Sequence, residues 1–358
     1  MSKKNLVTDQ SNKNTADFFW RKKTILYYLM AVLVFVLHCS SFSYYTAGSE
    51  KLQIADEFIK YRLCMVAVPM FFTLSGMLFF RNYQVNDYLK KLKKRFKSLV
   101  IPYVSWNTIN TLFAMITTLF LSQFFSGRQE FEWTFMSFFK GVFHYEYYLP
   151  FWFLFELIFF VVCTPVIELL TREKIASPFI IAGILLLCLY EYLVPYPLFR
   201  VPNTLVYYLI GAYIGRHWFE LFSKKVSKKL SLLGVVMIVI AIISEYMSKL
   251  GFYGDFADTI DILNRIVYVW GFWWVIDLVV EKIKLRSFMD HTFMIYAIHV
   301  NVSAIIAKLI YYVLPKSSPM AFVNLILTTI ISLVIIELIT MFLNRFCKKP
   351  YQILTGSR

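Results

Sequence analysis

The 358-residue sequence has few charged residues, and it is especially poor in acidic ones. Only 16% of the residues are charged, whereas 59% are hydrophobic and 19% are aromatic. Soluble domains carry about 25% charged and about 45–50% apolar residues. The composition therefore excludes one or two ordinary soluble domains and indicates a polytopic membrane protein.

Cysteine is also scarce, and its spacing carries no motif. The five cysteines are an odd number, and no two of them form a CxxC pair. They lie within or at the ends of hydrophobic runs, at Cys39, Cys64, Cys163, Cys188 and Cys347. This pattern predicts neither a disulfide framework nor a metal site.

We expect no cleaved secretory signal peptide, and the sequence shows neither a repeat of fixed period nor a low-complexity linker. The polar segment Met1–Lys23 leads directly into a full-length apolar helix, so we expect this first helix to remain in the protein. We also expect one continuous helical domain, with any catalytic or transport site built from the helix bundle itself.

Long hydrophobic runs, by contrast, are abundant. About 20 mainly apolar residues cross a hydrocarbon core of about 30 Å. The sequence predicts an all-α bundle of about ten transmembrane helices, with short runs for the fifth and sixth, at 24–43, 63–80, 99–121, 149–170, 177–194, 204–219, 230–248, 263–281, 291–313 and 321–345. The expected domains are a cytoplasmic tail at 1–23, a transmembrane domain at 24–346 and a second cytoplasmic tail at 347–358.

The distribution of lysine and arginine predicts the orientation. Cytoplasmic segments of membrane proteins are enriched in these residues. With the N-terminus inside, 27 of them fall on the inner side and 10 on the outer side, so both termini should be cytoplasmic. The net charge of +15 is then explained by topology and by anionic lipid, and nucleic-acid binding is not predicted.

His38 is the first candidate for chemistry. It lies near the outer end of the first predicted helix, within Val-Phe-Val-Leu-His-Cys-Ser-Ser. Ionisable groups at membrane depth usually face a cavity or a partner. A neutral imidazole titrates near working pH, which suits the removal of a proton from an attacking hydroxyl. The alternative is an ordinary interfacial histidine.

A dense basic segment precedes the third predicted helix. It reads Tyr88-Leu-Lys-Lys-Leu-Lys-Lys-Arg-Phe-Lys and lies at the predicted inner face. Its lysines and the planar fork of Arg95 could hold the phosphates of a soluble anionic donor. The alternative is a positive-inside anchor that binds acidic lipid headgroups.

The outer segment 122–148 is rich in aromatic residues and includes Arg128, His144 and Glu146. Tryptophan and tyrosine are common in the headgroup layer. The segment is therefore either an amphipathic interfacial helix or a lid over an outward-facing opening.

Several of these segments together resemble the acyltransferase type 3 family of integral membrane acyltransferases. The resemblance runs from about Lys22 to Phe346 and rests on the order and spacing of segments that are individually unspecific. They are His38, the run Pro69–Gly76 followed by two phenylalanines, Lys93-Lys-Arg-Phe-Lys-Ser-Leu-Val-Ile-Pro-Tyr, Phe151-Trp-Phe-Leu, Leu209-Ile-Gly-Ala-Tyr-Ile-Gly-Arg-His and Thr292-Phe-Met-Ile-Tyr-Ala-Ile-His.

The resemblance implies an O-acyltransferase of the cell membrane that moves an acyl group, usually acetyl, from cytoplasmic acyl-CoA to a hydroxyl of a carbohydrate or lipid-linked glycan. It implies that His38 is catalytic and that Arg95 engages the donor, with Lys94 and Lys97 as further basic candidates. A thioester is already activated, so the protein mainly has to position a hydroxyl, remove its proton and stabilise the oxyanion.

The sequence departs from the family pattern at three places. Tyr27 stands where many members have an arginine, eleven residues before the histidine. Phe155 and Glu156 stand where an arginine and an acidic residue often follow in the fourth helix, so the acid is kept without the arginine. After Arg95 the basic spacing is shifted, with Lys97 where some members place basic residues one position earlier or two positions later.

Other ionisable residues have two interpretations each. Glu156 either orients His38, as an acid orients the imidazole of a hydrolase triad, or is an interfacial acid. His299 either lines the donor channel or is a packed histidine. Arg200 either contacts an anionic acceptor or is an ordinary interfacial arginine. Three further acids at membrane depth are predicted to be structural partners, namely Asp277, Glu245 and Glu337.

Two other classes of function stay open from the sequence. A transporter would use the same polar residues as a substrate or proton path, although paired halves are not evident. A sensor or assembly scaffold would have no turnover. Within the acyltransferase interpretation, the acyl group could also cross the membrane between an inner donor and an outer acceptor, since the basic segment is predicted to lie inside and His38 outside.

Overall fold

The computed structural model describes residues 3–45, 49–120, 129–189 and 203–357. About 83% of these residues are helical, and they contain no β-strand. The predicted all-α class is therefore confirmed. The outer-loop candidates Arg128 and Arg200 lie outside the described residues.

Sixteen α-helices follow one another along the described residues. They are α1 (Lys3–His38), α2 (Glu50–Phe58), α3 (Ala67–Phe80), α4 (Tyr88–Arg95), α5 (Ile101–Phe120), α6 (Phe135–Phe143), α7 (Trp152–Val162), α8 (Thr164–Thr171), α9 (Ala176–Leu189), α10 (Thr204–His217), α11 (Phe219–Ser223), α12 (Lys228–Lys249), α13 (Ala257–Val275), α14 (Thr292–Val313), α15 (Pro319–Phe346) and α16 (Lys348–Thr355). Two π-helical turns precede α3 and α5, at Ile59–Leu63 and Phe96–Val100.

Six helical segments of the described chain are long and apolar enough to cross a membrane. They are Thr15–Tyr44, Glu50–Phe80, Val85–Phe120, Lys228–Ser248, Thr292–Val313 and Pro319–Phe346. These segments correspond to the first, second, third, seventh, ninth and tenth predicted spans. The multi-pass character is thereby confirmed, whereas the count of ten is not.

The other predicted spans differ for physical reasons. The fourth is a pair of helices, α7 and α8, bent by 71°. Pro165 is the second residue of α8, where its missing N–H and fixed φ suit a helix start but not a helix interior. Counted as one span, the pair gives seven. The helix α10, in the sixth predicted span, has only 14 residues, or about 21 Å at 1.5 Å each.

The described chain divides into two units, each described separately below. The first unit contains α1–α3, α9–α14 and α15 as far as Glu337. The second unit contains α4–α7, α8 as far as Leu169, the end of α15, and α16.

In the first unit, α3 and α10 pack with their backbones in close contact. A Cβ added at Gly211 would lie 2.0 Å from the Thr73 carbonyl oxygen, and one at Gly215 would lie 2.2 Å from the Met77 oxygen. Glycines four residues apart place both contacts on one face of α10, the arrangement that lets membrane helices approach closely. The sequence Gly-Ala-Tyr-Ile-Gly therefore fixes this helix pair.

A buried ion pair joins α1 to the segment after α13. Lys22 Nζ lies 2.7 Å from Asp277 Oδ1 and 3.8 Å from the centre of the Trp273 ring, and Lys22 is 0% exposed. Asp277 Oδ2 also accepts a hydrogen bond from the Val226 amide at 3.0 Å. The predicted structural role of Asp277 agrees with this contact, and the described part of the segment 1–23 is helical and continuous with α1.

We expect Lys22→Met to lower the thermal unfolding midpoint of the detergent-solubilised protein strongly. The substitution leaves the Asp277 carboxylate buried without its cation, and breaking a buried pair in this way costs about 3–5 kcal/mol. The double variant Lys22→Met/Asp277→Leu should recover much of the midpoint. The control pair is Lys225–Glu281, which is largely exposed, so Lys225→Met should cost less than about 1 kcal/mol. Equal losses in Lys22→Met and Lys225→Met would contradict this account.

In the second unit, the basic helix α4 continues through a π-helical turn into α5, so that Val85–Phe120 is one long segment. The helix α6 packs on α5, and the Tyr103 hydroxyl donates to the Phe143 carbonyl oxygen at 2.9 Å. Phe135 and Phe139 on α6 are exposed, at 82% and 48%. This apolar exposed face supports the interfacial-helix interpretation of the aromatic segment.

Candidate active site

His38 is the last residue of α1 and is partly buried. Its Nδ1 lies 2.9 Å from the Val34 carbonyl oxygen, one turn earlier in the same helix. The same Nδ1 lies 3.3 Å from Nε2 of His299. The end of the first membrane helix thus holds an imidazole by one of its two nitrogens.

His299 comes from α14 and is completely buried, with 0% exposure. Its Nδ1 lies 2.8 Å from the Tyr296 carbonyl oxygen. The two histidine rings have their centres 5.1 Å apart at an angle of 67°, and Phe35 of α1 flanks the His299 ring at 6.3 Å. The structure therefore brings together two predicted site residues that are 261 positions apart.

The hydrogen-bond partners of the two histidine rings indicate which ring nitrogens carry protons. Carbonyl oxygens only accept hydrogen bonds, so Nδ1 of each ring must carry a proton. In a neutral His299 ring, Nε2 is then unprotonated and accepts from His38 Nδ1, which also donates to Val34. The free lone pair of His38 is thereby at Nε2, which can act as a base.

The histidine pair lies partway along α14 and not at either end of that helix. His299 is seven residues after Thr292 and fourteen residues before Val313. At 1.5 Å per residue, these distances are about 10 Å and about 21 Å along the helix. His38 is therefore level with the first third of α14.

The remaining predicted site residues belong to the second unit. Glu156 is on the second turn of α7 and is 1% exposed. Arg95 is the last residue of α4 and is half-buried, whereas Lys94 and Lys97 are exposed, Lys97 within the π-helical turn. The structure thus provides a buried carboxylate and a basic helix end within this unit.

Tyr27, at the position where an arginine is common, packs on α3. Its ring lies 5.4 Å from that of Phe71 in an edge-to-face contact. The Lys23 ammonium lies 4.9 Å from the Tyr27 ring centre, within cation–π range. A cation one turn before Tyr27 therefore contacts its ring, and the sequence alone does not show this contact.

The other two predicted structural acids also have cationic or histidine neighbours. Glu245 Oε1 lies 2.6 Å from Arg62 Nη1. Glu337 Oε2 lies 2.8 Å from His291 Nδ1. In the described ranges, no group of three or more His, Cys, Asp or Glu side chains is arranged to hold a metal ion.

Comparison with known proteins gives one match. A family model described as "Acyltransferase domain" matches residues 28–339, which include both histidines and all the other predicted site residues. No curated protein and no solved structure matches the chain significantly.

Proposed function

Since the chain belongs to the acyltransferase-domain family and has multiple membrane-spanning helices, we propose that it is an O-acyltransferase of the cell membrane. The acyl group, most simply acetyl, comes from acyl-CoA. The acceptor is a hydroxyl of a cell-envelope carbohydrate or lipid-linked glycan. No metal takes part in the proposed reaction.

The observation that carries this proposal is the hydrogen-bonded pair of His38 and His299. A thioester needs a positioned hydroxyl and a base for its proton. His38 Nε2 is the nitrogen with the lone pair, so it takes the proton as the hydroxyl oxygen attacks the thioester carbonyl. The protonated imidazole then returns the proton to the departing CoA thiolate.

We assign His299 to the support of His38 and not to direct contact with the donor. Its only acceptor nitrogen, Nε2, is directed at His38 Nδ1 at 3.3 Å, and its Nδ1 is held by Tyr296. Stabilising a proton on Nδ1 of His38 favours the tautomer whose base is Nε2. The buried ring also excludes water from this side of His38.

The basic end of α4 supports a donor site in the second unit. We propose that Arg95, Lys94 and Lys97 hold the CoA phosphates, because a guanidinium fork and neighbouring ammonium groups match phosphate oxygens. Glu156 is kept as a candidate that orients His38. Its carboxylate is almost completely buried, which fits a polar role within the bundle.

The proposed arrangement in the membrane keeps both termini cytoplasmic, with tails at 1–23 and 347–358 and the acyltransferase domain at 24–346. The cytoplasmic tail then ends at Lys23, and His38 lies 15 residues, or about 23 Å, further along α1. This position supports an acceptor that enters from the outer side, while the acyl group reaches His38 through the bundle from the cytoplasmic side.

The test is transfer of radiolabelled acetyl from acetyl-CoA to envelope material in membrane vesicles. We expect labelled, alkali-releasable esters in vesicles that contain the protein and only background in matched vesicles without it. Equal label in both would refute the acetyl-CoA reaction. Accumulation of an unmodified solute across the vesicle membrane would instead favour a transporter.

A further inference from the structure

A second group of polar side chains lies in the first unit, separate from the histidine pair. We call it the polar cluster. Its members come from the π-helical turn before α3 and from α10, α12 and α13, and they are Arg62, Tyr207, Glu245, Asp261, Arg265 and Tyr268.

Contacts and charges hold the cluster together. Arg62 Nη1 is 2.6 Å from Glu245 Oε1, and the charges of Asp261 and Arg265 also act on the Glu245 carboxylate. The Arg265 guanidinium lies beside the Tyr207 hydroxyl, and Glu245 lies within electrostatic range of Tyr268. Four elements of the unit therefore converge on one polar region.

Several atoms of the cluster are buried without a hydrogen-bond partner among the described residues. They are Tyr207 Oη, Tyr268 Oη, Asp261 Oδ1 and Arg265 Nε. The Tyr207 and Tyr268 side chains are only 2% and 3% exposed. The Arg265 guanidinium lies beside the Tyr207 hydroxyl and interacts with it, but the contact falls short of the geometry of a full hydrogen bond. Each unpaired buried group costs about 1–3 kcal/mol, which a polar ligand would offset.

The chemistry of the cluster defines the class of ligand. The formal charges of the two arginines and the two carboxylates cancel, so the cluster has no net charge with which to attract an ionic ligand. The phenols donate and accept, Arg265 donates, and Asp261 accepts. A neutral ligand with several hydroxyl groups matches this set, because each hydroxyl also both donates and accepts.

The cluster lies at the same end of the unit as His38. The π-helical turn Ile59–Leu63, which carries Arg62, packs against α1. Lys60 on that turn is close enough for its charge to act on the His38 ring. A ligand held by Arg62 and its neighbours is thus next to the turn that borders the base.

We propose that the polar cluster binds the acceptor, as a neutral and hydroxyl-rich ligand. The word acceptor rests on the proposed function, whereas the ligand class rests on the cluster alone. The unpaired hydroxyls of Tyr207 and Tyr268 are the groups that recognise the ligand. The Arg62–Glu245 ion pair forms the side of the site next to α1.

Stability and ligand affinity of the same variant distinguish a binding role of the polar cluster from a purely structural one. Removing a hydroxyl that has no partner should stabilise the protein, because phenylalanine fills the same volume without the unpaired polar group. The double variant Tyr207→Phe/Tyr268→Phe should therefore unfold at the wild-type temperature or above. If the cluster is a binding site, the same variant loses affinity for the ligand.

The experiment measures ligand-induced shifts of the unfolding midpoint in lipid nanodiscs. The neutral probe is the disaccharide of N-acetylglucosamine, and the anionic probe is the hyaluronan disaccharide, which carries one carboxylate. We expect the neutral probe to raise the midpoint of the wild type and of His38→Ala. The affinity of Tyr207→Phe/Tyr268→Phe should fall about tenfold or more, since two hydrogen bonds are lost.

A matched control is Tyr213→Phe in the same unit. The Tyr213 hydroxyl donates to the Lys174 carbonyl oxygen at 2.8 Å, so this variant should lose stability but keep the wild-type affinity. No probe-induced shift in the wild type, an equal affinity in the double variant, or a preference for the anionic probe would each overturn the proposal. Because His38→Ala is tested for binding, the result is independent of whether acetyl transfer is observed.

Discussion

His38→Ala should reduce acetyl transfer by about 10²–10⁴-fold, the contribution usual for a general base. The substitution removes Nε2, the one nitrogen of the histidine pair that has a free lone pair, and leaves the rest of α1 unchanged. The loss should be in kcat, because the imidazole moves a proton in the chemical step and does not hold the CoA phosphates. Labelled acetyl in alkali-released material measures the rate, normalised to the amount of inserted protein.

The matched control for this prediction is His144→Ala. His144 is exposed, lies in the second unit and stacks on Tyr145, so its loss should leave transfer near the wild-type rate. An unchanged unfolding midpoint in His38→Ala would show that its lost rate does not come from misfolding. A His38→Ala protein with more than half of the wild-type rate would refute the role of His38 as base.

Variants of His299 in the same assay separate support of His38 from contact with the donor. The side-chain oxygen of His299→Gln can still accept from His38 Nδ1, so this variant should retain most of kcat. His299→Phe keeps the packing against Phe35 without an acceptor and should lose about tenfold in kcat, the equivalent of one hydrogen bond. A higher KM for acetyl-CoA in both variants, with kcat intact, would return His299 to the donor channel.

The sequence predicts some of the helices better than others, for a physical reason. Long apolar runs predict helices such as α12 and α15 well, because the thickness of the hydrocarbon core sets the length of a membrane-spanning helix. Short or interrupted helices are overcounted, as at Pro165 and in the 14-residue α10. Hydropathy indicates that a segment is apolar, but it does not show where the helix bends or ends.

Tertiary pairings were beyond the sequence for a different reason. The sequence indicates His38 and His299 separately, but their hydrogen bond depends on how α1 and α14 pack. Lys22 shows the same limit, since the sequence places it in the basic tail 1–23, whereas it is completely buried beside Asp277. Ionisable residues at membrane depth can therefore be flagged from sequence, whereas their partners require the fold.

Gly211→Ala should destabilise the protein by about 3 kcal/mol, the upper part of the range for an overpacked core. The new Cβ would lie 2.0 Å from the Thr73 carbonyl oxygen, and the obstacle is backbone, which cannot rotate aside. The helices α3 and α10 must separate, which also opens the contacts at Gly76 and Gly215. Because α10 carries Tyr207, the polar cluster should weaken with it. The unfolding midpoint in detergent measures the loss.

The control is Gly183→Ala on α9, where an added Cβ meets nothing within 4 Å. Alanine is favoured over glycine in a helix by about 1 kcal/mol, so this variant should unfold at the wild-type temperature or slightly above. The same chemical change is thus expected to have opposite signs at two helical glycines of one unit. A Gly211→Ala protein as stable as Gly183→Ala would show that α3 and α10 are not in backbone contact, and the placement of the polar cluster would then have to be revised.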